Sequence, residues 1–226
     1  MTREAFQART LAGDAAMADL DRFLGCLTEG NAVMNLVGPD TLLDFWNRHA
    51  WDSAQLLHER PGALTWADLG AGAGLPGVVL AILLKGRPGA HVWLVESLAK
   101  RCRFLASIVD ELGLPATVVH GRAEDQRLKV EVVTARAVAP LEKLLSYAQP
   151  YIAAGGQGLF LKGQRAADEL REARKSWQID AELLPSASDP RGRLVLVRRL
   201  RRVQPEGRGR QDDHGHKSRH GPRRHR

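Results

Sequence analysis

Apolar residues follow two different rhythms along the chain. Up to about residue 62 the rhythm is helical. Met17, Leu20, Leu24 and Leu27 recur at steps of three and four residues. That stripe predicts a helix capped by Asp14 and closed at Gly30-Asn31. N-L-V-G-P-D (35–40) reads as a loop. Asp40 then opens a second helix that Pro61-Gly62 closes. From Leu64 onward, short apolar runs alternate with amphipathic stretches. Strands are predicted at 64–69, 91–95, 117–120, 129–135 and 158–162, and helices at 76–84, 97–112, 141–149 and 166–177. Pro76 falls in the first turn of its helix, where a missing N–H costs nothing. The last two runs, 178–184 and 193–199, flank S-A-S-D-P-R-G and predict an antiparallel hairpin.

Strand–helix alternation places the chain in the α/β class, with a mostly parallel sheet covered by helices on both faces and right-handed crossovers. Three segments are expected: N-terminal capping helices at 1–62, the α/β domain at 63–200 and a basic tail at 201–226.

Composition narrows the picture. The 226 residues suffice for one sizeable core. The longest apolar run, Val78 to Leu84, is far shorter than a membrane span needs, so no membrane partner is expected. The first residues include Arg3 and Glu4, unlike a signal peptide. Two cysteines, Cys26 and Cys102, are too few for a disulfide framework or a four-ligand zinc site, and both read as core residues. A cytoplasmic, metal-free protein is expected. The net charge of +7 is concentrated at one end. Residues 201–226 hold nine Lys/Arg against three Asp/Glu, leaving 24 against 23 in the rest. Such a tail buries nothing; it is expected to be disordered and to attract polyanions weakly.

The densest local signal is D-L-G-A-G-A-G-L-P-G (68–77), between the first strand and its helix. Glycine is costly to order, and its crowding here implies that a ligand lies against bare backbone. G-x-G-x-x-G occurs at Gly72, Gly74 and Gly77, and Glu96 ends the second strand, as in dinucleotide sites. A nicotinamide-dependent oxidoreductase is therefore one reading. Two features favour S-adenosylmethionine instead. Asp68 places a carboxylate at the loop, which suits an ammonium and a sulfonium and repels a pyrophosphate. The terminal antiparallel hairpin also suits a methyltransferase sheet better than a dinucleotide domain.

Several further motifs occur in order: N-L-V-G (35–38), F-W-N-R-H-A-W-D-S (45–53), V-E-S-L-A-K-R-C-R-F-L (95–105), G-R-A-E-D (121–125), T-A-R-A-V-A-P-L (134–141) and L-K-G (161–163). With the glycine loop they resemble the RsmG family, also called glucose-inhibited division protein B, over residues 15 to 200. The resemblance implies a Rossmann-like class I S-adenosylmethionine-dependent methyltransferase fold, with a seven-stranded sheet. It implies methylation of N7 of a guanine in 16S ribosomal RNA within the small (30S) subunit. It further implies that Gly70 and Leu75 line the cofactor, that Gly72 and Gly74 keep the backbone clear, that Glu96 holds the ribose hydroxyls, that Ala123 and Glu124 flank the adenine, and that Arg136 belongs to the cofactor site.

Guanine N7 carries a lone pair and no proton, so no catalytic base is expected; alignment is the main requirement. T-A-R-A replaces the N/D-P-P-Y/F run that methylation of an exocyclic amine would favour. Arg48, His49, Asp52 and Lys162 are the candidate substrate residues. Asp52 could stabilise the positive charge of the product, Arg48 and His49 could hold the base or a phosphate, and Lys162 could bind a phosphate. With 5% aromatic residues, stacking on single-stranded RNA is weakly supported, and an assembled subunit fits better. A monomer is expected. A methyltransferase of small molecules and a non-catalytic ribosome-assembly factor on the same fold remain alternatives.

Overall fold

The structure is a computed structural model that describes residues 1–203, apart from the side chain of Pro39. The basic stretch 204–226 lies outside the described residues. The helices are α1 (Arg3–Thr10), α2 (Asp14–Met34), α3 (Pro39–Leu42), α4 (Asp52–Glu59), α5 (Gly77–Leu84), α6 (Ala99–Leu112), α7 (Leu141–Ala153) and α8 (Ala166–Ala173). A π-helical turn spans Trp46–Trp51, and a 3-10 turn spans Ala123–Asp125. The strands are β1 (Thr65–Leu69), β2 (His91–Glu96), β3 (Ala116–His120), β4 (Val132–Arg136), β5 (Gln157–Lys162), β6 (Trp177–Pro185) and β7 (Arg193–Arg202). They form one sheet in the order β3-β2-β1-β4-β5-β7-β6. The first five are parallel; β7 runs antiparallel to β5 and to β6.

Alternate residues of each strand enter opposite cores. Trp66, Val92, Leu94, Val132, Leu159 and Leu194 join one face; Ala67, Leu69, Val95, Val133, Phe160 and Val195 join the other. Burial on both sides explains why the strands read as continuous apolar runs. Helix α5 is apolar on every side and buried at Gly77 to Ile82 and at Leu84, because α2 and α4 cover its outer surface. Phe6, Met17, Leu20, Phe45 and Leu56 from the N-terminal segment share this core.

Several sequence expectations are corrected. Asp14 is the first helical residue of α2, after Gly13, and makes no capping bond; its Oδ1 accepts from Gln7 Nε2 at 2.9 Å. Helix α2 runs through Gly30-Asn31 and ends at Asn35, whose backbone is left-handed (φ 48°). Gly30 is a packing residue: a Cβ there would lie 2.6 Å from Phe104 Cε2 on α6. Helix α1 has only one buried apolar residue, Phe6, and so no periodicity to detect. The helix expected from Asp40 is broken into α3, the π turn and α4. Helix α7 passes Pro150, four residues before its cap; Tyr151 and Ile152 continue it into the second core. Trp177 opens β6 rather than closing α8, and β7 takes in Arg201 and Arg202, which the sequence placed in the tail.

Candidate active site

Parallel order reverses between β1 and β4, so ligands should meet the sheet at the carboxyl ends of these strands. Gly70 and Ala71 donate N–H bonds to Val95 O at 2.8 and 3.0 Å, folding the glycine loop over the end of β2. Gly70 is exposed with φ 68°, and Gly72 is half-buried with φ 53°. These two leave backbone open to a ligand. Gly74 and Leu75 do not. A Cβ at Gly74 would lie 2.5 Å from Val78 Cγ2, and Leu75 is 4% exposed within the first core. Both support the loop from beneath.

Glu96 holds the same loop. Its Oε2 accepts from Gly72 N at 3.0 Å and its Oε1 from Leu98 N at 2.8 Å. The carboxylate is 4% exposed, with Arg101 Nη1 4.0 Å away. Each oxygen keeps a second lone pair for a ribose hydroxyl. Ala123 and Glu124 lie beyond the adjacent strand. They are half-buried, and their turn is fastened where Tyr151 Oη donates to Ala123 O at 3.0 Å. Gly70, Gly72, Glu96, Ala123 and Glu124 thus sit together beyond β1, β2 and β3.

Asp68 is fully buried at the end of β1. Its Oδ2 accepts from Gly77 N at 2.8 Å, capping α5. Its Oδ1 has no protein partner, the one such buried side-chain atom among the described residues. A carboxylate oxygen without a partner fits an amino-acid ammonium, so the residues present suit S-adenosylmethionine. Burial pushes this carboxyl up to about 7; the Gly77 N–H and Arg136 pull it down, and Glu96 adds to the rise. A folded-state pKa above the ordinary 3.8 means stability present in acid and lost as pH rises towards about 7. Asn keeps the acceptor for Gly77 without the charge. Thermal melts of the ligand-free protein should show Asp68→Asn gaining on wild type by roughly 5 °C between pH 5 and pH 8. A constant difference across that range would contradict an uncompensated carboxylate.

Arg136 ends β4 and reaches into the N-terminal segment. Its Nη1 donates to Arg48 O at 2.9 Å and to Asp52 Oδ2 at 3.3 Å, and its Nη2 to His49 Nδ1 at 3.1 Å. Arginine only donates, so Nδ1 is an acceptor and Nε2 carries the proton. That proton goes to Thr41 Oγ1 at 2.9 Å, and Thr41 in turn donates to Gly38 O at 2.6 Å. Burial, then Arg136 and Arg48, lower His49 to about 4. The π turn brings Arg48, His49 and Asp52 to one place; such turns often mark functional sites.

These residues line a cavity of about 750 Å³ together with Lys162 and the β6–β7 loop. Arg48 is exposed. Lys162 is not a free cation: its Nζ lies 2.6 Å from Glu169 Oε2 and donates to Ala139 O at 3.1 Å. Glu169 Oε2 also accepts from Leu141 N at 2.7 Å. Lys162 therefore fixes the loop after β4. That loop carries Ala137 at φ 55° and Val138, whose Cγ2 would be 2.8 Å from a Cβ on Gly70. Sequence reasoning missed Thr41, Gln55, Ser186, Ser188, Arg191 and Arg193. The only signal was S-A-S-D-P-R-G, which looks like any polar turn.

A family profile described as rRNA small subunit methyltransferase G (GidB) matches residues 16–192. The chain belongs to the GidB family. It is 60% identical over 199 residues to the ribosomal RNA small subunit methyltransferase G of Caulobacter vibrioides, covering 88% of this chain and 92% of that one. The protein of the same name from Methylorubrum extorquens is 46% identical over 191 residues, covering 83% and 90%. Among solved structures, the magnesium protoporphyrin IX methyltransferase of Synechocystis, with bound SAM, superposes with a TM-score of 0.54 at 16% identity, covering 83% of this chain and 99% of that one. A SAM-dependent methyltransferase from Aquifex aeolicus gives 0.50 at 14% identity, covering 66% and 89%. These two likenesses show the shared class I fold. GidB membership sets aside the nicotinamide-dependent reading of the glycine loop.

Proposed function

We propose that this GidB protein transfers the methyl group of S-adenosylmethionine to N7 of a guanine in 16S ribosomal RNA, on the assembled small subunit and without a general base. The observation that carries the mechanism is the engagement of the titratable groups on the cavity side, His49 and Asp52. His49 accepts from Arg136 and stays neutral. Asp52 is shared between Arg136 and Ser188. Asp68 is buried at the end of β1, with Oδ1 left for the cofactor's ammonium. Neither His49 nor Asp52 is a free proton acceptor, and N7 requires none.

S-adenosylmethionine, when bound, supplies a methyl group already activated by a cationic sulfur. The protein's work is alignment. Asp68, Gly70, Gly72, Glu96, Ala123 and Glu124 hold the cofactor, with Gly74 and Leu75 packed beneath them. Arg136 joins that shelf to the purine side. Arg48, His49 and Asp52 face the purine, and the Asp52 carboxylate stabilises the positive charge that N7-methylation creates. Lys162 acts by fixing the loop after β4. One chain supplies all these groups, which supports action as a monomer. No helix among the described residues is long and apolar enough to cross a membrane, in keeping with a cytoplasmic place beside the subunit.

Mass mapping of N7-methylguanine on small subunits, with and without the protein and S-adenosylmethionine, tests the reading. No new mark on the RNA would overturn it. Asp52→Asn should slow single-turnover methyl transfer about 10- to 100-fold, since one charge opposite the developing cation is lost, and leave cofactor affinity within twofold. Unaltered turnover would remove Asp52 from this role.

A further inference from the structure

We propose that Gln55 is a positioning residue that holds the β6–β7 loop (186–192) as a rigid wall for RNA recognition. The proposal rests on the methyltransferase reading of the cavity and adds to it a segment that no motif marks.

Gln55 lies on α4, three residues after Asp52, and is 2% exposed. A buried amide is costly unless both ends are satisfied. Here both are, largely by a loop more than 130 residues away. Its Nε2 donates to Asp52 O at 3.0 Å and Asp52 Oδ1 at 3.1 Å, with Ser186 Oγ and Ser188 Oγ at 3.3 and 3.2 Å. Its Oε1 accepts from Ala187 N at 2.8 Å. Neighbours strengthen the attachment. Trp51 Nε1 donates to Ala187 O at 3.0 Å, and Asn47 Nδ2 to Ser188 O at 3.3 Å. Ser188 Oγ donates to Asp52 Oδ1 at 2.5 Å.

The sheet does not need this attachment. Strands β6 and β7 pair up to the loop through Leu184↔Leu194 and Pro185↔Arg193 without it. What it determines is the placement of a seven-residue polar loop against α4. That loop lines the cavity and carries Arg191, with Arg193 at its base and Arg48 across from it among the lining residues. The turn is stiffened where Asp189 Oδ1 accepts from Arg191 N at 2.9 Å. Cations on a fixed wall lose less conformational entropy on meeting phosphates than cations on a loose loop. The attachment also orients Asp52: Gln55 and Ser188 take Oδ1, so Oδ2 faces Arg136. Gln55 thus connects RNA docking to the side chain opposite the reacting purine.

The test uses the full chain and unmethylated small subunits, with Gln55→Ala and Ser188→Ala. Losing these buried hydrogen bonds should raise the KM for the subunit about tenfold in Gln55→Ala and about threefold in Ser188→Ala. The calorimetric Kd for S-adenosylmethionine should stay within twofold of wild type. Hydrogen exchange at the Ala187 amide should accelerate in Gln55→Ala. Should Gln55→Ala fail to fold, Ser188→Ala, on the loop itself, carries the test. A merely structural part would lower the melting temperature, cofactor affinity and kcat together with KM unmoved, and that outcome overturns the proposal. So does an active wild type beside unchanged KM in both variants. An inert wild type instead refutes the methyltransferase reading itself.

Discussion

Arg136→Ala should lower kcat/KM on the small subunit by roughly 100- to 1,000-fold, the range expected when a group that aligns reactants is removed. The reason is how many elements converge on one guanidinium. Arg136 holds the Arg48 carbonyl, the His49 ring and the Asp52 carboxylate, and so joins the end of β4 to the π turn. Without it Asp52 loses its only cation within 4.0 Å among the described residues. Lysine should rescue little, because one ammonium does not reproduce a planar fork spread over three acceptors. His49 provides an independent readout. Its depressed pKa of about 4 comes first from burial and then from Arg136 and Arg48. Removing Arg136 should move its NMR titration part of the way towards 6.5. The sign follows for stability. A histidine kept neutral by the fold costs stability as pH falls from about 6.5 towards 4, and Arg136→Ala should soften that acid sensitivity. Retained activity together with an unmoved His49 titration would mean that Arg136 does not organise the site.

Gly77→Ala should destabilise the protein by on the order of 3 kcal/mol, lowering the melting temperature by roughly 10 °C. A Cβ at this position would lie 2.3 Å from Leu94 Cδ2 and 2.7 Å from Asp68 Oδ2. Neither neighbour can yield cheaply: Leu94 is buried in β2, and Asp68 caps α5 through the Gly77 N–H. Helix α5 would have to lift from the sheet, and the cofactor loop with it. Gly72→Ala is the control. Its Cβ would meet nothing closer than 3.5 Å, so the cost is that of a left-handed backbone (φ 53°), about 1 kcal/mol. Equal melting temperatures for the two variants would show that close packing of helix on strand is not the function of the last glycine.

The α/β class, all seven strands and the place of the ligand loop were legible in the sequence. Each rests on short-range patterns: runs buried on both faces, glycines at a strand end, a polar turn between two strands. The motif 45–53 identified Arg48, His49 and Asp52, and the run 134–141 identified Arg136, before their meeting could be seen. Their partners were another matter. Glu96, expected for a ribose, also holds the glycine loop through Gly72 and Leu98. Lys162, expected for a phosphate, is paired with Glu169. Gly74 and Leu75, picked out with the cofactor loop, pack into the core beneath it. Local pattern carries which residues are polar, small or apolar, because pitch and pleat repeat every few residues. Whether a carboxylate, amide or guanidinium is free depends on what lies across space, and Gln55 meets Ala187 from 132 residues away. The sequence by itself therefore determined the scaffold and the chemical types at its open end. Tertiary packing alone decided which of those groups are spent holding loops in place and which remain for ligands.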